Sequence, residues 1–296
     1  MGPTDELCCF LVGGLVPLNC CALIQFPYQL PDGETVETQE SKKNRMQAAY
    51  RLALPNEALV AQLMSQTYAS QRALINVSSG IMIVKRNWPF LFVAHHMYSH
   101  VNTLLGFDVA RTFDRCIETV GKQIYRYAHN LVKSQRVKSC LQEIESAKVH
   151  TKSAAAEYEA APLLLLAIFN EDKGLLYGVT EESTCDDDLE EMPSWPFIFA
   201  KGGGFLTAKS FTVCIDNVPL MHASSPREAF KVLFLAHFAF NVAYPKETSL
   251  TLEFTQRSIA TINPGRGTKV ERTRGKQHNL NPKVASLIST LKDYDF

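Results

Sequence analysis

Three histidines crowd one short segment of this 296-residue sequence, at His95, His96 and His100. His96 and His100 stand four residues apart, so on a helix they share a face, where two imidazoles can hold one metal ion. The metalloprotease pattern also requires a Glu beside the first His. Here Met97, Tyr98 and Ser99 fill the gap, and no third ligand stands at a recognisable spacing. The expectation is polar, partly exposed histidines, no metal and no cofactor, which leaves a metal-dependent hydrolase around His96 and His100 as a reading without further support. No Gly-x-Ser-x-Gly elbow or cysteine-protease signature occurs. Gly202, Gly203 and Gly204 do not make a phosphate loop, because Lys201 precedes them and Lys209 follows too late. A non-enzymatic protein is expected.

The basic residues are better placed. Arg111, Arg115, Lys122, Arg126, His129 and Lys133 recur at steps of three, four and seven. At about 100° per residue they fall within an arc of roughly 60° on one helix. A second supply lies in the arm 263–280, with Arg266, Lys269, Arg272, Arg274 and Lys276. Lys and Arg in such arrays can bind phosphates or carboxylates without reading a sequence. An anionic partner is therefore expected on the ten Lys and Arg residues among these, a protein in the first reading and a nucleic acid in the alternative. The opposite charge gathers in Glu181 to Glu191, which lacks the Asp-x-Asp-x-Asp-Gly pattern of a calcium loop and is expected to be a solvated acidic loop. That loop could instead fold back and mask the basic ridge.

The charge map sums to zero, with 30 basic and 30 acidic residues, which excludes a dedicated polycation. Locally it is uneven, at −6 over 1–41, +5 over 85–150, −8 over 170–191 and +6 over 256–283. Hydrophobic residues make up 46% of the chain, enough for a real core. The eight cysteines form no C-x-x-C pair, which points to free thiols in a reducing, intracellular compartment, cytoplasm or nucleus. Residues 7–30 carry no charge, a length that could span a bilayer. Asp5 and Glu6 stand where a signal peptide needs lysines, and Gly13, Gly14, Pro17, Asn19 and Pro27 interrupt the run, so no membrane span is expected.

These side chains need elements to position them. The spacing predicts an apolar then polar extension over 1–41, with a linker at 32–41, a helical region over 42–160 and an α+β region over 161–296. Within the second, a helix enters at Pro55 and Asn56 with Leu59, Leu63, Thr67 and Leu74 on one face. Another runs from Val93 to Leu105, closed by Gly106. Asp108 caps the helix of the basic ridge, whose other face is the stripe Phe113, Ile117, Val120, Ile124, Tyr127 and Leu131. The stripe changes phase after Ser134, which calls for a break and an antiparallel partner. Leu163 to Phe169 is buried, as helix or strand. A small antiparallel hairpin sheet is expected around 196–223, turning at Asp216-Asn217. A core helix spans 226–242, capped by Ser225 with Glu228, and Val284, Leu287, Ile288 and Leu291 mark a C-terminal helix. The fold class is α+β, mainly α-helical.

Several longer strings carry a resemblance. Trp88–Phe92 (WPFLF), Leu163–Glu171 (LLLLAIFNE), Ala243–Glu247 (AYPKE), Thr251–Arg257 (TLEFTQR), Asn263–Glu271 (NPGRGTKVE) and Asn281–Val284 (NPKV) follow one another in order. From about Lys42 to the end the chain resembles the C-terminal module of the uncharacterised sterile alpha motif domain-containing protein 3-like group. That group resembles mobile-element-derived genes in its distribution, and the resemblance implies an interaction module with no catalytic activity attached. Gln71-Arg72 departs from the Arg-Arg usual in the group, nothing before about residue 39 matches, and no sterile alpha motif domain is recognisable. The oligomeric state is left open.

Overall fold

Side-chain caps set the starts of several of the helices. The computed structural model describes residues 30–77, 80–189, 193–263 and 280–293. Helix α1 (Val36–Tyr50) begins at Thr35, whose hydroxyl accepts from Thr38 N–H while Thr38 returns the bond. The expected linker over 32–41 is therefore already helical from Val36, a start hidden because the helix is polar and buries only Gln39, Met46 and Ala49. Asn56 caps α2 (Glu57–Gln66) by accepting from Leu59 N–H at 3.0 Å. The helix expected to run on through Leu74 breaks at Thr67, whose hydroxyl donates back to Leu63 O, and resumes as α3 (Tyr68–Val77).

A short α4 (Ile81–Asn87) and a 3₁₀ turn (Pro89–Phe92) lead into α5 (Ala94–Leu105), which ends at Gly106 in the left-handed conformation. Asp108 caps α6 (Val109–Leu131) by accepting from Arg111 N–H at 3.0 Å. After the break at Val132 to Ser134 come α7 (Gln135–Thr151), α8 (Ala156–Glu159) and α9 (Ala161–Phe169), the last resolving the Leu163–Phe169 run as helix.

The sheet has four strands in the order β1 (Tyr177–Thr180), β2 (Phe197–Lys201), β3 (Ser210–Ile215), β4 (Val218–Ala223). The hairpins β2–β3 and β3–β4 are antiparallel as expected, the second turning on Asp216 and Asn217, both at positive φ. β1 pairs parallel to β2, so the sheet is mixed rather than a purely antiparallel hairpin sheet. Alternation along β2 and β3 divides the sheet into two faces. Ile198, Ala200, Phe211, Val213 and Ile215 enter the main core, while Phe197, Phe199 and Cys214 pack with Leu189 on the other face.

Helix α10 (Pro226–Ala239) lies behind the sheet and is buried nearly all round, as its sequence demands. It stops at Ala239, three residues short of the expected 226–242, because Phe240 and Asn241 leave helical geometry and Val242 N–H bonds to His237 O. Then come α11 (Ser249–Phe254), a π-turn (Thr255–Ile259) and α12 (Pro282–Asp293). Glu171 accepts from Leu250 N–H at 2.8 Å and Thr251 N–H at 2.9 Å, capping α11 from across the fold. One hydrophobic core runs from Met46 to Leu291. The chain is an α+β protein, mainly helical, with a small mixed sheet.

Helix α6 is seated on α8 at Gly121, where an added Cβ would stand 2.8 Å from the backbone of Tyr158. Alanine would gain about 1 kcal/mol of helix propensity, yet overpacking against a backbone costs typically about 1–3 kcal/mol. Gly121→Ala is therefore expected to lower unfolding stability by up to about 2 kcal/mol, read as a lower urea midpoint. A midpoint at or above the parent value would contradict this packing.

Candidate functional site

The histidine cluster is built at the start of α5. His96 and His100 are each only 4% exposed, against the expectation of partly exposed side chains. Phe90, swung under α5 by the Trp88-Pro89 turn, meets the His96 ring edge-on at 5.2 Å and closes it from solvent. The two rings share a helix face without sharing a partner. His96 Nε2 lies 3.4 Å from Glu57 Oε2, and His95 Nε2 lies 3.1 Å from the same oxygen. His100 points deeper, its Nδ1 3.0 Å from Gln71 Oε1 and its Nε2 3.3 Å from Arg72 Nη1.

The hydrogen-bond chain settles the His100 tautomer. Gln71 Nε2 donates to Met64 O at 2.8 Å and to Thr67 Oγ1 at 2.9 Å, so Gln71 Oε1 faces His100 as an acceptor. Nδ1 must then carry the proton, and the bare Nε2 accepts from Arg72. Burial, reinforced by the Arg72 charge, holds the His100 imidazole well below the ordinary histidine value. His100 is thus committed to the core and cannot serve as a ligand beside His96.

Above this network opens a cleft of about 600 Å³ lined by Glu57, Met64, Tyr68, His95, His96 and His100, among others. Glu57 is the residue that sequence reasoning passed over. It stands 38 positions before His95, at the first turn of a different helix, and nothing in the local sequence links them.

The basic ridge lies on the exposed side of α6, opposite Phe113, Ile117 and Ile124. Arg111, Arg115, Arg126, His129 and Lys133 are exposed, whereas Lys122 is half-buried. Lys122 Nζ donates to Glu118 Oε1 at 2.7 Å and sits 5.8 Å from the Tyr158 ring. Glu118 falls on the ridge itself, so the cationic surface is divided into Arg111 with Arg115 at one end and Arg126, His129 and Lys133 at the other. Among the described residues no carboxylate pairs with Arg111, Arg115 or Lys133. The arm residues Arg266, Lys269, Arg272, Arg274 and Lys276 lie outside the described residues.

Among its described residues the acidic loop pairs with the sheet side of the molecule and not with the ridge. Asp186 accepts from Lys201 Nζ at 2.8 Å and Thr212 Oγ1 at 3.0 Å, and lies 3.3 Å from His222 Nε2. Burial works to raise the Asp186 carboxyl, but these partners outweigh it and hold it below the ordinary value. Glu182 pairs with Lys209 at 2.9 Å. The expected solvated loop is thus partly anchored, with Leu189 and Asp186 covering the outer face of the sheet.

The described cysteines are free. Burial above all, with a nearby carboxylate in each case, pushes the Cys140 and Cys214 thiols up to about 12, which suits packing rather than nucleophilic attack. No helix among the described residues is long and apolar enough to cross a membrane, and the apolar run 7–29 lies outside them.

The class defined here is a mainly helical α+β protein with an exposed cationic helix and a buried histidine cluster. Residues 39–93, from within α1 to just past the 3₁₀ turn, match the family model of the sterile alpha motif domain-containing protein 3 helical domain, and over that stretch the chain is similar to that domain. No curated protein and no solved structure matches the chain.

The neutral His100 has a measurable consequence. Below pH 6.5, the ordinary histidine value, the unfolded chain takes up a proton that the folded chain refuses, so stability is level above that pH and falls as pH drops below it. The slope from this one residue is at most about 1.4 kcal/mol per pH unit. His100→Gln is expected to be less stable at pH 7.5 and to show a shallower loss between pH 6.5 and 5.5 in urea unfolding. Parallel profiles for parent and variant would rule out His100 as the source.

Proposed function

We propose that this chain is a non-enzymatic interaction module working inside the cell, and that it takes an acidic protein partner on the two cationic ends of α6. The observation that carries the reading is the exposure of Arg111, Arg115 and Lys133, to which no carboxylate among the described residues is paired, while Asp186 and Glu182 of the most acidic segment are engaged at the sheet. Exposed charges of this kind steer encounter and set specificity more than they add raw affinity. The match to a helical domain over residues 39–93 supports an interaction role. Free and buried thiols support a reducing compartment.

A nucleic acid is the second reading, favoured by the arginines and by the basic arm 263–280. The Glu118–Lys122 pair weighs against it. A phosphate backbone presents an unbroken row of anions, which would meet Glu118 between the two cationic ends. Acidic side chains on a protein can be spaced to avoid it.

Charge reversal separates these readings. A triple variant, Arg111→Glu, Arg115→Glu and Lys133→Glu, is expected to bind labelled polyglutamate at least about tenfold more weakly than the parent, since three exposed pairs at about 0.5 kcal/mol each amount to that factor. Fluorescence anisotropy at 50 mM and 200 mM salt reads this directly. Tight binding of a 20-base-pair duplex with a steep salt slope, lost in the same variant, would favour the nucleic-acid reading. Unchanged affinity of the variant for both probes would remove the ridge as a binding surface.

A further inference from the structure

We propose that Glu57, His95 and His96 form a binding site for one divalent transition-metal ion of the zinc class. This inference does not depend on the anionic-partner reading. The three ligand atoms, Glu57 Oε2, His95 Nε2 and His96 Nε2, all lie within 4.8 Å of one another. The carboxylate oxygen stands 3.1 Å and 3.4 Å from the two nitrogens. Tetrahedral bonds of about 2.0–2.1 Å place neighbouring ligand atoms about 3.3 Å apart, so these separations already match two edges of a zinc polyhedron.

A second observation points the same way. His96 is buried, and its Nε2 is left without a well-formed hydrogen bond, its nearest partner being Glu57 Oε2 at 3.4 Å. A buried nitrogen normally finds a partner, and this one is aimed at the space between Glu57 and His95. The His95 and His96 rings lie 3.9 Å apart at 41°, converging although they are consecutive on α5. Phe90 braces the His96 ring from behind.

The donor set decides the metal class. Two imidazoles with one carboxylate suit zinc and its neighbours rather than calcium or magnesium, which prefer oxygen alone. Three protein ligands leave a fourth position, and here it faces the cleft of about 600 Å³, where water or a ligand could occupy it. The ion would clamp the first turn of α2 to the first turn of α5. Since Glu57 lies within the matched segment 39–93 and His95 and His96 lie two and three residues beyond it, the ion would also tie that segment to the rest of the chain.

The cysteines could also take up zinc, so total uptake does not decide the matter, and the difference between variants does. Glu57 and His95 are exposed, so Glu57→Gln and His95→Ala should fold normally even if His96→Ala does not. Titration of the full chain with zinc chloride against a chromophoric chelator should show one site that is weakened roughly tenfold or more in each variant. Zinc should raise the thermal midpoint of the parent, and not of the variants. Cobalt(II) should give the visible absorption of a four-coordinate site with nitrogen and oxygen ligands, absent in His95→Ala. His150→Ala, an exposed histidine elsewhere, should leave all three readouts unchanged. Equal zinc affinity and equal thermal shifts in parent, Glu57→Gln and His95→Ala would overturn the site.

Discussion

The structure turns on one buried cation. The Arg72 side chain is 1% exposed, and its Nη1 donates to Phe238 O at 3.2 Å and Ala239 O at 2.7 Å. Those carbonyls belong to the last turn of α10, where orphaned acceptors and the negative end of the helix dipole both call for a positive group. Guanidinium cannot escape its burial by losing a proton, so the surroundings must accommodate it. They do so with carbonyl oxygens and with a histidine kept neutral by burial and by the Arg72 charge, its tautomer fixed by Gln71. Three helices are thereby joined, α3 through Arg72, α5 through His100 and α10 through its C-terminus. A buried charge tolerates few arrangements, so this contact specifies how the helices around Met46 and the sheet domain around α10 meet.

Because α10 is held in this way, the sheet packed on it can be covered on its other face by little more than a loop. Phe197 and Phe199 point away from α10, and an open four-stranded sheet with that face bare would be prone to association. The segment 181–189 covers it, with Leu189 supplying apolar contact and Asp186 gathering Lys201, Thr212 and His222. The acidic charge of this stretch is therefore drawn to the sheet. The neutral total charge conceals a division of labour in which Asp186 and Glu182 are engaged at the sheet, while Arg111, Arg115 and Lys133 on α6 pair with no carboxylate among the described residues.

Much of this was legible in the sequence where local rules govern. Asn56, Asp108, Ser225 and Gly106 cap as their types require, and the stripe Phe113, Ile117, Ile124 turned inward because period and polarity agreed. The sequence failed to show what depends on distant partners. α1 carries few apolar residues, so its pattern does not announce a helix. β1 is four residues long and contains Gly178, and it is strand only because β2, twenty residues on, offers an edge. The site was half readable. The ridge could be placed by counting residues. The histidine pair suggested by an i, i+4 spacing, His96 with His100, shares a helix face but no partner, since Arg72 claims His100 and Glu57 faces His95 and His96 together.

The two candidate surfaces sit at opposite ends of a stiff lever. The metal ligands His95 and His96 occupy the first turn of α5, while the ridge begins at Arg111, just past its far end. Twelve helical residues at 1.5 Å each separate them by about 18 Å, well beyond a Debye length of about 8 Å at physiological salt. Charge added at Glu57, His95 and His96 would therefore be felt only weakly at Arg111 through solvent. Any mechanical link must run through α5 and its corner with α6, and that corner is locked. Asn102 Oδ1 accepts from Val109 N–H at 2.9 Å, its Nδ2 donates to Asp108 Oδ1 at 3.0 Å, and Asp108 in turn caps α6. A corner fixed by three hydrogen bonds transmits orientation rather than flexing. An ion that clamps α2 to α5 would stiffen the frame from which α6 projects and leave the cationic groups themselves unaltered, so the two surfaces can evolve and be tested separately.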